Sequence, residues 1–173
     1  VNYRAKSVMD SKLKENGQTS LYYDIELPLI FVLADMENYG IKVDKKTLEK
    51  YKASLEESIE ETTKEIYELA GEEFNIDSPK QLGVILFEKL GLHGGKKTKT
   101  GYSTAAEVLE SLKYESPIVE KILYYRQIAK LKSTYADGLL AVINEDDSRI
   151  YSTFNQTITA TGRISSTEPN LQN

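Results

Sequence analysis

Between Asp44 and Ala70 apolar side chains return on one stripe, at Leu48, Tyr51, Leu55, Ile59, Ile66 and Leu69, with Gly71 immediately beyond. Asp44 offers an N-cap and Gly71 a stop, so the spacing predicts one long amphipathic helix. Such a helix cannot bury its stripe alone; it needs a partner of similar length. The chain supplies one. Ser116 and Pro117 form a cap-plus-proline start, and Ile118, Ile122, Tyr125, Ile128, Ala129, Leu131, Tyr135 and Leu139 keep helical spacing to about Ile143. Between the two lie shorter signals: Ser78 and Pro79 open a helix ending at Gly91, and Thr104 with Glu107 reads as a capping box for a helix to about Lys113. Two long helices flanking two short ones predict a mainly α fold, a long antiparallel helical hairpin with a small helical tip.

Outside the hairpin, Ile25, Leu29, Val32, Leu33 and Met36 predict a helix from Leu21 to Tyr39, which Pro28 kinks and Gly40 ends. Glu145 to Ser148 reads as a turn, and Arg149 to Thr159 as one or two short strands. Ala160 to Asn173 is polar and aperiodic, so it is expected to be extended and to belong to a larger protein or to lie at a cut end. The absence of Cys and the single His exclude disulfides, thiol nucleophiles and His-rich metal clusters, and suggest a reducing, cytoplasmic setting. The longest apolar stretch, Leu27 to Ala34, is too short to span a membrane, so no membrane partner is expected. The net charge of −5 argues against a nucleic-acid partner only until it is localised. Acid collects at Glu49, Glu56, Glu57, Glu60, Glu61, Glu65 and Glu68 on the first long helix, and at Glu145, Asp146 and Asp147.

Three constellations carry possible chemistry. In the loop from His93 to Tyr102, Lys96, Lys97 and Lys99 alternate with Thr98, Thr100, Ser103 and Thr104 without an intervening acid, a set of ammonium and hydroxyl groups suited to phosphate oxygens. An ordinary solvated turn is the competing reading. The loop is not a P-loop, because it follows a helix and Lys97 stands where Ser or Thr should. On the last long helix Arg126, Lys130, Ser133, Thr134 and Asp137 share a face, with Lys132 off that stripe. In the tail, Asn155, Gln156, Thr159, Thr161, Gly162, Arg163, Ser165, Ser166, Asn170, Gln172 and Asn173 supply donors suited to the degenerate acceptors of the minor groove. A flexible polar linker is the alternative there. His93 lacks a placed carboxylate for nucleophilic catalysis, and three consecutive acids after Glu145 resemble a turn rather than a metal loop.

The segment Thr159 to Asn173, TATGRISSTEPNLQN, resembles the TATGRLSSxxPNLQN signature of family A DNA polymerases, the bacterial polymerase I group. Similar stretches lie at Lys130 to Tyr135 (KLKSTY), Lys96 to Ser103 (KKTKTGYS), Phe74 to Leu82 (FNIDSPKQL) and Ile25 to Asp44 (IELPLIFVLADMENYGIKVD), so the resemblance runs from about Leu21 onward. It implies that residues 21–144 are the helical thumb subdomain, that 145–173 begin the palm, and that 1–20 are a remnant of a preceding exonuclease-like domain and linker. It also implies that Lys96, Lys97, Lys99 and Ser103 grip the backbone of a primer-template duplex. Arg126, Lys130, Ser133 and Thr134 would then contact DNA nearer the primer terminus. Arg163 would sit in the minor groove at the terminal pair, with Asn170, Gln172 and Asn173 nearby. The DNA-binding candidates also include Ser78, Thr104 and Lys132 on the helical part, and Asn155, Gln156, Thr161, Ser165 and Ser166 on the strand part.

The parent reaction implied is template-directed DNA synthesis with magnesium, in replication and repair, in the nucleoid-associated cytoplasm of a bacterium. The two metal-binding aspartates of the family lie beyond Asn173, so this segment is expected to bind no cofactor and to be inactive alone. Tyr3 is followed by Ser7 where a proofreading motif has Asp, so proofreading is not expected from these residues. Expected partners are primer-template DNA, the remaining palm and fingers, and a second copy through open palm strands. A helical protein-interaction module whose Glu-rich helix faces a basic partner, with no nucleic-acid role, is the alternative.

Overall fold

The computed structural model describes residues 2–93, 95, 97–98 and 101–172, with the side chains of 2–4, 97 and 98 left aside. Helix α1 (Asn2–Glu15) comes first, where the sequence reading had placed only a remnant and linker. A π-helical stretch, Leu21–Glu26, runs directly into α2 (Leu27–Tyr39). Pro28 lies in the first turn of α2 and cannot donate a backbone hydrogen bond; just before it the Leu27 N–H reaches back to the Tyr22 carbonyl in the wider π register. Gly40 ends α2 with φ 66°, and a Cβ there would stand 2.9 Å from the Tyr151 ring. Only glycine fits that turn.

After β1 (Ile41–Lys42), the 26-residue helix α3 (Lys45–Ala70) matches the predicted span. Then α4 (Pro79–Gly83) continues as a π-helical stretch, Val84–Lys89, with Gly91 at φ 66° just past its end. The strands β2 (Lys97–Thr98) and β3 (Gly101–Tyr102) pair as an antiparallel hairpin before α5 (Ala106–Ser111). Here the expected capping box fails. The N-cap is Ala105, while the Thr104 hydroxyl is buried and accepts a hydrogen bond from Arg126 Nη2 at 3.1 Å. The second long helix is α6 (Pro117–Lys130), a π-helical stretch Leu131–Asp137, and α7 (Gly138–Leu140). Three short strands end the chain, β4 (Arg149–Ile150), β5 (Thr153–Asn155) and β6 (Ser165–Thr167).

The chain forms two compact units, Lys46–Leu140 and the pair of segments Val1–Lys45 with Ala141–Asn173. In the first, ion pairs set the hairpin register: Lys52 with Asp137 at 2.6 Å, Lys132 with Glu56 at 3.2 Å, and Lys121 with Glu65 at 2.6 Å. As the first number rises in each pair of helices the second falls, so the long helices are antiparallel. The main core lies at the tip end, where Ile66, Ile76, Leu82, Ile85, Leu86, Leu109, Leu112, Ile118, Val119 and Ile122 are buried together. Along the stem the core thins to Leu55, Ile128 and Ala136. Thr62 replaces an apolar residue in the α3 stripe and stays buried because its hydroxyl donates to the Ser58 carbonyl at 2.7 Å.

In the second unit β1 pairs with β4, and β5 pairs with β6 in the register Thr153↔Thr167, Phe154↔Ser166 and Asn155↔Ser165. The tail is therefore not simply extended. It folds back as β6 because β5 leaves backbone groups that a second strand satisfies, and Ser166 becomes buried in the process. Arg149 fastens β4 to the end of α2, stacking over the Tyr39 ring at 4.1 Å and donating to the Tyr39 carbonyl at 3.0 Å. Among the described residues no helix is long and apolar enough to cross a membrane.

Candidate nucleic-acid interface

The tip loop is held from beneath by aromatic packing. Phe87 and Tyr102 pack with ring centroids 5.0 Å apart, and a Cβ on Gly95 would meet Phe87 at 2.7 Å, so the loop backbone passes directly over the ring. The β2–β3 pairing presents the Lys97 and Thr98 backbone; Lys96, Lys99 and Thr100 lie outside the described residues. Ser103 is half-buried and accepts a hydrogen bond from the Ala105 N–H at 3.4 Å. Ser78 caps α4 by accepting from the Gln81 N–H, also at 3.4 Å.

On α6 and its extension the polar residues separate into two groups. Arg126 is half-buried and forks onto the carbonyl and hydroxyl of Thr104, and burial lowers its pKa against the opposing field of Asp77. Lys132 is engaged with Glu56 and with Asp137 at 2.8 Å; its hydrogen bonds to the carboxylates of Asp137 and Glu56 raise its pKa, while Asp137 is held below the usual carboxylate range by Lys132 and Lys52. Lys130, Ser133 and Thr134 are exposed side by side on the helix, and Lys130 has no acidic partner among the described residues.

The strand residues divide in the same way. Gln156 donates from Nε2 to the Glu26 carboxylate at 2.7 Å and to the Glu26 carbonyl at 3.0 Å. Asn155 donates to the Thr167 hydroxyl at 3.1 Å, and buried Ser166 accepts from the Leu171 N–H at 2.8 Å. Asn170 accepts from the Gln172 N–H at 2.9 Å, and the Gln172 side chain reaches the Ile164 carbonyl. Ser165 is half-buried in β6. Thr161 and Arg163 are exposed; the Arg163 carbonyl accepts from the Thr159 hydroxyl, but its guanidinium has no acidic partner among the described residues. Asn173 lies outside the described residues.

The sequence reading missed Glu26 and Glu37. The Glu37 carboxylate accepts the Phe154 N–H at 2.7 Å, on the edge of β5 opposite β6. The one signal is their spacing, eleven residues or about three helical turns, which puts both acids on one side of the helix; Asp24 and Asp35 in the same segment share that spacing, so it does not single them out.

A magnesium pair does not fit the acids present. Among the described residues no three His, Asp or Glu side chains come together as a ligand set, and Asp147 is occupied by the Tyr151 hydroxyl and the Arg149 N–H. His93 keeps its imidazole exposed, with its backbone N–H on Glu115 at 3.2 Å. Each unit carries an exposed cation beside exposed hydroxyls, Lys130 with Ser133 and Thr134 in one and Arg163 with Thr161 in the other, groups that can donate to anions.

Comparison with known proteins identifies the family of the chain. The polymerase I of Lactococcus lactis subsp. cremoris, named "DNA polymerase I", is 59% identical over 170 residues, covering 98% of this chain and 19% of that protein. The "DNA polymerase I" of Bacillus subtilis is 53% identical over 162 residues, covering 94% of this chain and 18% of that protein. The chain thus spans about a fifth of the length of these relatives. Among solved structures, the POL domain of Pol1 from M. smegmatis, in complex with DNA primer-template and dNTP, superposes with a TM-score of 0.82 at 44% identity, covering 95% of this chain and 29% of that one. The sequence model of DNA polymerase family A matches residues 45–173, and with these relatives it establishes that the chain belongs to family A of the DNA polymerases.

Proposed function

We propose that the helical hairpin is the thumb of a DNA-directed DNA polymerase I, gripping primer-template duplex without sequence specificity, and that residues 145–173 begin the palm. The observation that carries this reading is the sorting of cations on one helix. Lys121 and Lys132, on α6 and its π-helical extension, are paired with acids inside the hairpin, whereas Lys130 between them stands exposed beside Ser133 and Thr134 with no acidic partner among the described residues. A lysine left without an intramolecular counter-charge, next to hydroxyl donors, matches a phosphate backbone. The M. smegmatis relative was captured with primer-template DNA, which supports the same partner for this chain.

Arg163, exposed on the loop between β5 and β6, is the minor-groove candidate. Donors in that groove meet acceptors in nearly the same place for every base pair, so a single Arg senses pair geometry without reading sequence. Magnesium-dependent nucleotide addition belongs, in this reading, to the whole polymerase.

Fluorescence anisotropy with a primer-template duplex tests the proposal. Affinity should fall steeply with salt, and Lys130→Ala should reduce the log–log salt slope by about 0.9, one phosphate's worth of counterion release. Lys132→Ala should leave that slope unchanged. Salt-independent binding, or equal slopes for the wild type and Lys130→Ala, would reject the assignment.

A further inference from the structure

Arg163 lies on a loop, and a loop places a side chain only as well as its ends are held. The polar contacts around that loop converge on two carboxylates. Glu26 accepts the Gln156 side chain at 2.7 Å immediately after β5, and Glu37 accepts the Phe154 N–H at 2.7 Å from the free edge of the same strand. Gln156 also donates to the Glu26 carbonyl, so its amide is fixed in direction as well as in position. Both acids flank or belong to α2, on one side of the helix about three turns apart. Within the loop, Thr159 ties to the Arg163 carbonyl, and Gln172 ties to the neighbouring Ile164 carbonyl. None of these contacts uses the Arg163 guanidinium.

We infer that Glu26 is a positioning residue for the reaction of the whole polymerase: through Gln156 it fixes the loop that aims Arg163 at the terminal base pair, and Glu37 supports it by closing the β5 edge. Gln156 accordingly serves the frame through its amide rather than touching DNA. The inference rests on the minor-groove role proposed for Arg163. A half-buried hydrogen bond to a carboxylate is among the stronger single polar contacts, so removing it lets the loop move by enough to weaken a geometry-sensitive contact.

The test uses the full-length polymerase carrying this segment and compares single-nucleotide addition on paired and mispaired primer ends. Glu26→Ala and Gln156→Leu should each lower the paired-to-mispaired rate ratio about five- to tenfold, with duplex affinity and its salt slope unchanged. Glu26→Gln should restore most of the ratio, because the amide Oε1 still accepts from Gln156, a rescue that a general loss of folding would not give. In an Arg163→Ala background, Glu26→Ala should add nothing. If Arg163→Ala lowers the ratio while Glu26→Ala and Gln156→Leu leave it within about twofold, the positioning role is overturned and the minor-groove reading survives. If Arg163→Ala leaves the ratio unchanged, both fall, and the Lys130 salt slope still decides the thumb reading separately.

Discussion

The Tyr125 hydroxyl donates to Asp77 Oδ2 at 3.1 Å, joining α6 to the turn before α4. Burial first, and then the Asp77 charge, push the phenol up to about 12 from its ordinary 10.0. A folded-state pKa raised in this way stabilises the fold below pH 10, and that contribution disappears as pH rises through about 12. Tyr125→Phe should therefore flatten the loss of stability between pH 10 and 12, as read by urea unfolding at a series of alkaline pH values; an unchanged profile would mean that the phenol does not titrate with folding. At this scale the sequence exposed identities but not employment. Lys130 and Lys132 are near neighbours on one helix, yet one faces solvent and the other is spent on Glu56 and Asp137.

Among elements, the hairpin's energetics are uneven. Among the described residues, ten buried apolar side chains hold the tip end and three hold the stem, so equal deletions should cost unequally. Leu86→Ala opens a cavity in the filled end and should destabilise by about 2–5 kcal/mol, near the upper part of that range, whereas Leu55→Ala in the thinner stem, where solvent can enter, should fall near its lower part. Equal shifts in the denaturation midpoint would contradict this layout. The α2–β1 turn gives a sharper case. Gly40→Ala places a methyl against the Tyr151 ring at positive φ and should cost about 1–3 kcal/mol, measured by thermal unfolding; a neutral result would show that the turn relaxes. Both long helices were legible from apolar periodicity, because a helix pattern is local. The Thr104–Glu107 box was misread because Arg126, distant in sequence, claims Thr104.

For the whole molecule, the charge of −5 says less than its distribution. Glu57, Glu60 and Glu61 are exposed on α3, away from the cations singled out on α6 and the β5–β6 loop in sequence. Removing three acids from a net −5 by Glu57→Gln, Glu60→Gln and Glu61→Gln leaves −2. Because exposed charges are screened beyond about 8 Å at physiological salt, duplex affinity should change by less than about threefold there and by more at low salt. A larger change at physiological salt would place the acidic face close to bound DNA. The sequence by itself determined the two long helices, the strand-rich end and the polymerase signature, since periodicity and a contiguous motif are written between near neighbours, whereas α1 and the α5 cap were not legible in it. Only the tertiary structure decided which polar residues remain available: Gln156 meets Glu26 across 130 residues, Phe154 meets Glu37 across 117, and the tail buries Ser166 by folding back on β5. A hydrogen bond between groups so far apart along the chain leaves no local pattern, because its cause is the packing that brings them together.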